Sequence, residues 1–268
     1  MQIDVQQFWK QGYLILKNVF SAAQIESFRQ FIDNQLDIDR AKGLVTENAG
    51  VKYVSGDLLS KRLLREIFLD RQIIEAVAAV LGDTPIYFGD SSYQIGHTSG
   101  GYHRDNIDRN FGEGQDWQGR YDLVRLGIYF QDHKYHSAGL KLKPGTHNVA
   151  DGSSYIVESE AGDVIIWNMR ILHSGHAVRL KGLRTLPIDY GERFIPKFLQ
   201  IPEEKPRKAM FFAFGLLGKD FDHYKNDYLL KRETMIEHLK NSQFDEESKK
   251  LANRGDFKLV KIIPEYGA

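Results

Sequence analysis

Between residues 85 and 214 the chain is cut into eight short apolar runs, at 85–88, 92–95, 102–105, 123–131, 139–142, 155–158, 163–167 and 209–214. Gly, Pro, Asn, Asp and Ser punctuate them. Runs this short and this closely spaced read as strands of a sandwich or a barrel-like roll. The segment before them has a different period. Gly12 separates a short helix around Phe8 from a strand at Tyr13-Leu14-Ile15-Leu16. Ser21-Ala22-Ala23-Gln24 fits a capping box, and Ile25, Phe28, Phe31, Ile32 and Leu36 then recur at helical spacing. Val51 and Tyr53 fall in a candidate strand within the polar stretch 39–58, and a second helical stretch covers 59–82, stopped by Gly82-Asp83.

After residue 217 the chain turns helical and charged, over 228–240 and 245–253. Phe257, Leu259, Val260, Ile262 and Ile263 then form an apolar tail expected to dock as a strand or an extended segment. No repeat, low-complexity segment or linker interrupts the pattern. The expectation is one domain over 1–268, with a helical buttress at 1–84, the roll at 85–216 and a helical extension at 217–268.

Composition removes whole classes of chemistry. With no cysteine, thiolate zinc sites, iron–sulfur clusters, disulfides and cysteine nucleophiles are all excluded. Lys+Arg and Asp+Glu stand at 36 each, so no overall field draws nucleic acid or an anionic membrane. No run approaches the roughly 20 apolar residues that span a bilayer. Met1-Gln2-Ile3-Asp4-Val5 lacks the basic and apolar regions of a signal peptide. These features lead to the expectation of a cytoplasmic protein acting on a small, polar or anionic molecule, as a monomer or weak homodimer.

A metal in this chain must therefore use His, Asp or Glu. In His103-Arg104-Asp105 the outer residues are two apart, and on a strand they share one face. An imidazole and a carboxylate so placed supply two ligands of a 2-His-1-carboxylate facial triad, which leaves three positions open on a non-haem Fe(II). The tripeptide is common by chance, and a surface turn is its bland reading. The second histidine must come from His133, His136, His147, His173 or His176. His173 and His176 follow the buried run 163–167 in a Gly-containing turn, whereas His147 sits in Pro144-Gly145-Thr146-His147-Asn148, where a structural cap is the default.

Four segments in order carry a resemblance: Phe8-Trp9-Lys10-Gln11-Gly12-Tyr13-Leu14-Ile15-Leu16, His103-Arg104-Asp105, Gly139-Leu140-Lys141-Leu142-Lys143-Pro144-Gly145-Thr146-His147, and Gly162-Asp163-Val164-Ile165-Ile166-Trp167 with Leu172-His173-Ser174-Gly175. Over about 5–215 the chain resembles the phytanoyl-CoA dioxygenase family of Fe(II)/2-oxoglutarate-dependent oxygenases. The resemblance implies a mainly β protein with flanking helices, whose core is a double-stranded β-helix of the jelly-roll, cupin-like kind. It implies His103, Asp105 and His173 as iron ligands, with His176 the competitor for the third place. It also implies 2-oxoglutarate and O2 as cosubstrates, succinate and CO2 as co-products, and hydroxylation of a C–H bond. Related halogenases carry a small residue where this chain keeps Asp105.

The family holds the far carboxylate of 2-oxoglutarate with a cation, for which an arginine fork is suited. Arg207, in Arg207-Lys208-Ala209-Met210-Phe211-Phe212, matches the motif of the last core strand but lies further beyond His173 than the family usually shows. Arg184 has the usual spacing but no convincing strand after it, and Arg179 comes third. Local motif outweighs spacing because loops tolerate insertion. Arg207 is therefore preferred, with an inserted loop at about 180–205 expected to cover the site. For the substrate, Lys141 and Lys143 share one strand face, and Arg104, Asn106 and Trp117 fall in or just after the His-x-Asp segment. All five are expected to bind it. Two other readings stay open: a non-catalytic jelly-roll binding protein, and a cupin-type metalloenzyme that does not use 2-oxoglutarate. A clamp arginine has no purpose in the latter.

Overall fold

Gly12 ends α1 (Val5–Gln11) at a φ of 84° and turns the chain directly into β1 (Tyr13–Leu16). At Ser21 the capping box forms as expected. The Gln24 N–H donates to the Ser21 hydroxyl at 3.3 Å, and the Ser21 N–H donates to the Gln24 side chain at 2.9 Å. This opens α2 (Ala22–Ala41). The computed structural model describes residues 3–68, 70–96, 101–182, 191–240 and 244–263.

A hairpin of β2 (Thr46–Asn48) and β3 (Val51–Gly56) comes next. It belongs to the main sheet, so the first 84 residues contribute strands as well as helices. The stretch 59–82 is not one helix. Asp57 caps a single 3-10 turn at Leu58–Ser60, α3 (Arg65–Phe68) is one turn long, and Asp70 caps a fresh start for α4 (Arg71–Leu81). Each aspartate offers the backbone a local acceptor that competes with a continuous helix.

The runs 85–88 and 92–95 fuse into one strand, β4 (Ile86–Ile95). Its polar middle, Gly89-Asp90-Ser91-Ser92, conceals it in the sequence because those residues face polar partners rather than solvent. Ser91, for example, donates to the Gly56 carbonyl at 2.5 Å. There follow β5 (Leu123–Tyr129), β6 (Gly139–Leu142), β7 (Tyr155–Ile156), β8 (Val164–Asn168), β9 (His173–Ala177) and β10 (Lys208–Gly215). Then come α5 (Lys219–Asp227), α6 (Glu233–Lys240), α7 (Glu246–Arg254) and β11 (Lys258–Leu259). The apolar tail docks as expected, with β11 parallel to β4.

The larger sheet runs β1-β8-β5-β10-β4-β3-β2, and the smaller runs β7-β6-β9. Alternation assigns the two faces. Val124, Leu126 and Ile128 of β5, Ile166 of β8 and Met210, Phe212 and Phe214 of β10 pack with α2 and α4. Tyr129, Ile165, Trp167 and Ala209 point the other way, onto Leu140 and Leu142 of the smaller sheet. Two antiparallel sheets face to face with helices on the outer side form the expected double-stranded β-helix. Among the described residues no helix is long and apolar enough to cross a membrane.

Two expectations at the future site fail. Residues 102–105 form no strand; only His103 makes an isolated antiparallel bridge, to His173. The chain leaves that bridge at once, because Asp105 and Asn106 both donate their N–H to the Met169 carbonyl, at 2.8 and 3.2 Å. The supposed turn 173–177, in contrast, is strand β9, whose small and polar residues gave no strand signal.

Gly162 fixes where β8 begins. Its φ is 104°, and a Cβ there would sit 2.3 Å from the Phe20 carbonyl oxygen. Gly162→Ala is therefore expected to cost at least about 2 kcal/mol, read as a lowered midpoint in urea unfolding with an unchanged m-value.

Candidate active site

The His103–His173 bridge is the site's foundation. Each residue donates its N–H to the other's carbonyl at 3.0 Å, which puts both side chains on one face of the pair. The two imidazoles lie 4.3 Å apart, centroid to centroid. Asp105, two residues past the bridge, closes the group: Oδ1 is 3.8 Å from His103 Nε2 and Oδ2 is 3.5 Å from His173 Nε2. One nitrogen of each histidine and one oxygen of Asp105 lie within 4.8 Å of one another.

The other ring nitrogens are already engaged. His173 Nδ1 meets the Ile171 carbonyl at 3.1 Å and His103 Nδ1 meets the Gly101 carbonyl at 3.2 Å. A carbonyl accepts only, so each Nδ1 carries a proton and each Nε2 is the nitrogen left to face a metal. Burial pushes the His173 imidazole down to about 4, against the pull of Asp105. Burial also opposes ionisation of Asp105, but His173, Arg125 and His103 outweigh it and hold the carboxyl at about 2. Two imidazoles and one carboxylate are the donor set that a 2-His-1-carboxylate metal centre needs.

Trp167 walls this group, with its ring 5.4 Å from that of His173. It fits because Gly127 on the neighbouring strand has no side chain; a Cβ there would meet the indole at 2.9 Å. The trio opens into a cavity of about 520 Å³ between the sheets. Arg207, at the entry to β10, is buried in the same wall. Its Nη1 donates to the Gly96 carbonyl at 3.0 Å, and its guanidinium lies 5.3 Å from the Tyr129 ring and 5.9 Å from that of Phe211. The Tyr129 hydroxyl lies beside the Arg207 guanidinium, and the Trp167 indole lies beside Asp105. A buried guanidinium with no carboxylate partner among the described residues suits an anionic ligand such as a dicarboxylate.

Arg184 lies outside the described residues. Arg179 points elsewhere, donating to the His133 carbonyl at 3.1 Å. His176 is buried and lines no part of the cavity. His147 is structural, its Nε2 reaching the Trp9 carbonyl at 2.9 Å.

The five residues expected to meet substrate are committed to internal contacts, and none lines the cavity. Arg104 donates to the carbonyls of Arg170 and Ala150 at 2.8 and 2.9 Å, and its guanidinium lies 5.3 Å from the Trp117 ring. Trp117 bonds the Asp108 carbonyl at 2.6 Å, and Asn106 donates to Asp116 at 3.0 Å. Lys141 pairs with Glu192 at 2.7 Å and Lys143 with Asp151 at 2.8 Å. The lysines do share a face, but alternation gives the cavity side to Leu140 and Leu142 and leaves them on the back of the smaller sheet. There Glu192, from the inserted loop, covers Lys141. The described part of that loop therefore packs behind the smaller sheet, not over the cavity.

Sequence reasoning missed the opposite wall. Thr46, Tyr53 and Ser55 come from the β2–β3 hairpin, and Tyr228, Arg232 and His238 from the C-terminal helices. Nothing in their local pattern separates them from ordinary surface residues. A second group, Asp108, Asp116 and His223, also clusters. Asp116 there accepts from the N–H groups of Ile107 and Asp108 at 2.8 and 3.0 Å and meets His223 Nδ1 at 3.1 Å, which fastens the 106–118 loop to α5.

The phytanoyl-CoA dioxygenase (PhyH) family model matches residues 8–186. A search of curated proteins found no match. Solved structures of the same fold include HygX from Streptomyces hygroscopicus with nickel, 2-oxoglutarate and hygromycin B bound. It is 16% identical, over 79% of this chain and 87% of that one, with a TM-score of 0.54. EctD from S. alaskensis with bound Fe is 14% identical over 79% and 75% of the two chains, TM-score 0.55. The non-heme alpha ketoglutarate dependent epimerase SnoN from nogalamycin biosynthesis is 13% identical over 78% and 80%, TM-score 0.54.

His133, behind the site, yields a pH test. Burial and Arg207 push its imidazole down to about 3, while its Nδ1 donates to the Ser137 carbonyl at 3.0 Å. The folded value lies below the unfolded one, so as pH falls the unfolded chain takes up the proton first. Stability from this group is complete above about pH 6.5 and drains away toward pH 3. In His133→Gln, stability measured by denaturant between pH 6.5 and 4 is expected to fall less steeply than in wild type, by up to about 1.4 kcal/mol per pH unit.

Proposed function

The chain belongs to the phytanoyl-CoA dioxygenase family, whose members use Fe(II), 2-oxoglutarate and O2, and we propose that it hydroxylates an aliphatic C–H bond of a small polar molecule. His103, Asp105 and His173 hold the iron, and Arg207 binds the far carboxylate of 2-oxoglutarate. The observation that carries this reading is the meeting of the trio and a buried arginine in one cavity. Iron and cosubstrate, once bound, supply an oxidant strong enough to break an unactivated C–H bond, with succinate and CO2 as co-products.

The protein's own contribution is placement and exclusion of water. The two imidazoles and the carboxylate would hold the iron by three positions and leave three for cosubstrate and oxygen. Retention of the carboxylate at Asp105 favours oxygen insertion over halide transfer. Arg207 is preorganised as a clamp, since backbone and side-chain oxygens already fix one edge of its fork. Trp167, Tyr129 and Phe211 keep water from the reacting face. The far wall is rich in hydroxyls and amides, among them Thr46, Asn48, Ser55 and Gln94, which suits a substrate with several hydrogen-bonding groups. Arg232 at the rim has no carboxylate partner among the described residues and is available to an anionic substituent. The clamp argues against a cupin chemistry without 2-oxoglutarate, and the complete trio argues against a decayed binding protein.

Anaerobic addition of Fe(II) and 2-oxoglutarate is expected to give a weak visible charge-transfer absorption. His103→Ala, Asp105→Ala and His173→Ala should each abolish it together with succinate formation; full turnover in any of them would overturn the ligand assignment. Arg207→Ala should weaken 2-oxoglutarate binding by roughly tenfold or more, and by more than Arg184→Ala does. The reverse ranking in a 2-oxoglutarate titration would move the clamp to Arg184.

A further inference from the structure

Arg125 has no part in the assignments above, yet it touches the proposed iron site. It lies on β5, where alternation turns residues 125, 127 and 129 toward the smaller sheet and the cavity. Its Nε is 3.0 Å from Asp105 Oδ2, and its Nη2 is 3.0 Å from Asp90 Oδ2 and 3.2 Å from the Tyr224 hydroxyl. Tyr224 donates in turn to Asp90 Oδ2 at 2.9 Å. One guanidinium thus bridges two carboxylates, and a tyrosine from α5 fixes the outer one.

The strands are arranged to allow this. β4 and β5 are not neighbours, because β10 runs between them. Arg125 pairs in register with Ala213 of β10, and the β4–β10 register shifts between Phe212 and Phe214, beside the point where Asp90 enters. An alanine at the crossing leaves the arginine and the aspartate free to meet above it. Bulges that redirect a side chain commonly lie beside active sites.

The consequence falls on Asp105, whose two oxygens have different neighbours. Oδ1 faces His103 Nε2 at 3.8 Å, whereas Oδ2 lies 3.5 Å from His173 Nε2 and also carries the Arg125 contact. We propose that Arg125 is a positioning residue: it holds one oxygen of Asp105 so that the carboxylate has one, not two, to give to a metal. This rests on the oxygenase reading, in which 2-oxoglutarate and O2 together require three free positions. A carboxylate at liberty to use both oxygens would take one of them. The planar fork is what the geometry demands, since it must reach Asp105 and Asp90 at once; a lysine is a point charge that satisfies one.

Arg125→Lys keeps the buried charge, Arg125→Met removes it, and Asp90→Asn loosens the arginine from behind. Three readouts on the purified full chain separate the possibilities: thermal midpoint, Co(II) titration followed by visible absorption without cosubstrate, and 2-oxoglutarate titration of the Co(II) form. For Arg125→Lys the expectation is a midpoint near wild type, Co(II) binding within about threefold, an altered Co(II) spectrum, and 2-oxoglutarate affinity lower by about tenfold. Asp90→Asn should shift the same way by less. Arg125→Met should match or exceed the lysine variant where it folds, and if it does not fold the other two variants decide. Wild-type spectra and cosubstrate affinity in Arg125→Lys would overturn the proposal, as would loss of Co(II) binding by a folded variant. If wild type binds Co(II) but not 2-oxoglutarate, the oxygenase reading fails, while the comparison of Co(II) spectra still judges Arg125.

Discussion

His103 and His173 exchange both backbone hydrogen bonds at 3.0 Å, and from that exchange most of the site follows. The pairing sets two imidazoles side by side, and the short step from His103 to Asp105 delivers a carboxylate to the same point. It also joins two stretches of chain that share no sheet at this position: the segment beyond β4 and the first residue of β9. The Met169 carbonyl then accepts from Asp105 and Asn106 and fixes how the chain departs.

Charge is organised around that point with similar economy. The chain is neutral overall, but the cavity gathers two acids, Asp90 and Asp105, with a partly buried Arg125 and a buried Arg207. Isolated buried charges cost several kcal/mol each, so they occur here as a bridged set. Arg125 meets both acids, while Arg207 lies against aromatic rings and a carbonyl and has no carboxylate partner among the described residues.

Much of this could be read along the chain. The capping box at Ser21, the punctuation at Gly12 and the strand runs of β5, β6, β8 and β10 were legible because each is a local signal: a hydroxyl near free N–H groups, a left-handed turn, an alternation of apolar residues. The assignment of Arg207 came from the motif around it. The strand status of β9 was hidden because His-Ser-Gly-His-Ala has neither β-branched nor bulky apolar residues, and the polar middle of β4 was hidden because its partners are distant. Lys141 and Lys143 misled for a plain reason. Alternation showed that they share a face, but only the packing of the two sheets shows which face looks into the cavity.

The sequence by itself determined the class of fold, the absence of thiolate chemistry and the residues able to bind a metal, since these depend on residue type, short-range period and ordered motifs. The tertiary structure alone decided that His103 and His173 sit 4.3 Å apart, that Arg125 spans Asp90 and Asp105, and that the cavity's far wall comes from the β2–β3 hairpin and the C-terminal helices. The physical reason is that each of these is a contact between segments remote in the chain. Such contacts are fixed by sheet order, register and the small residues that let side chains cross, and none of these leaves a mark on the local pattern.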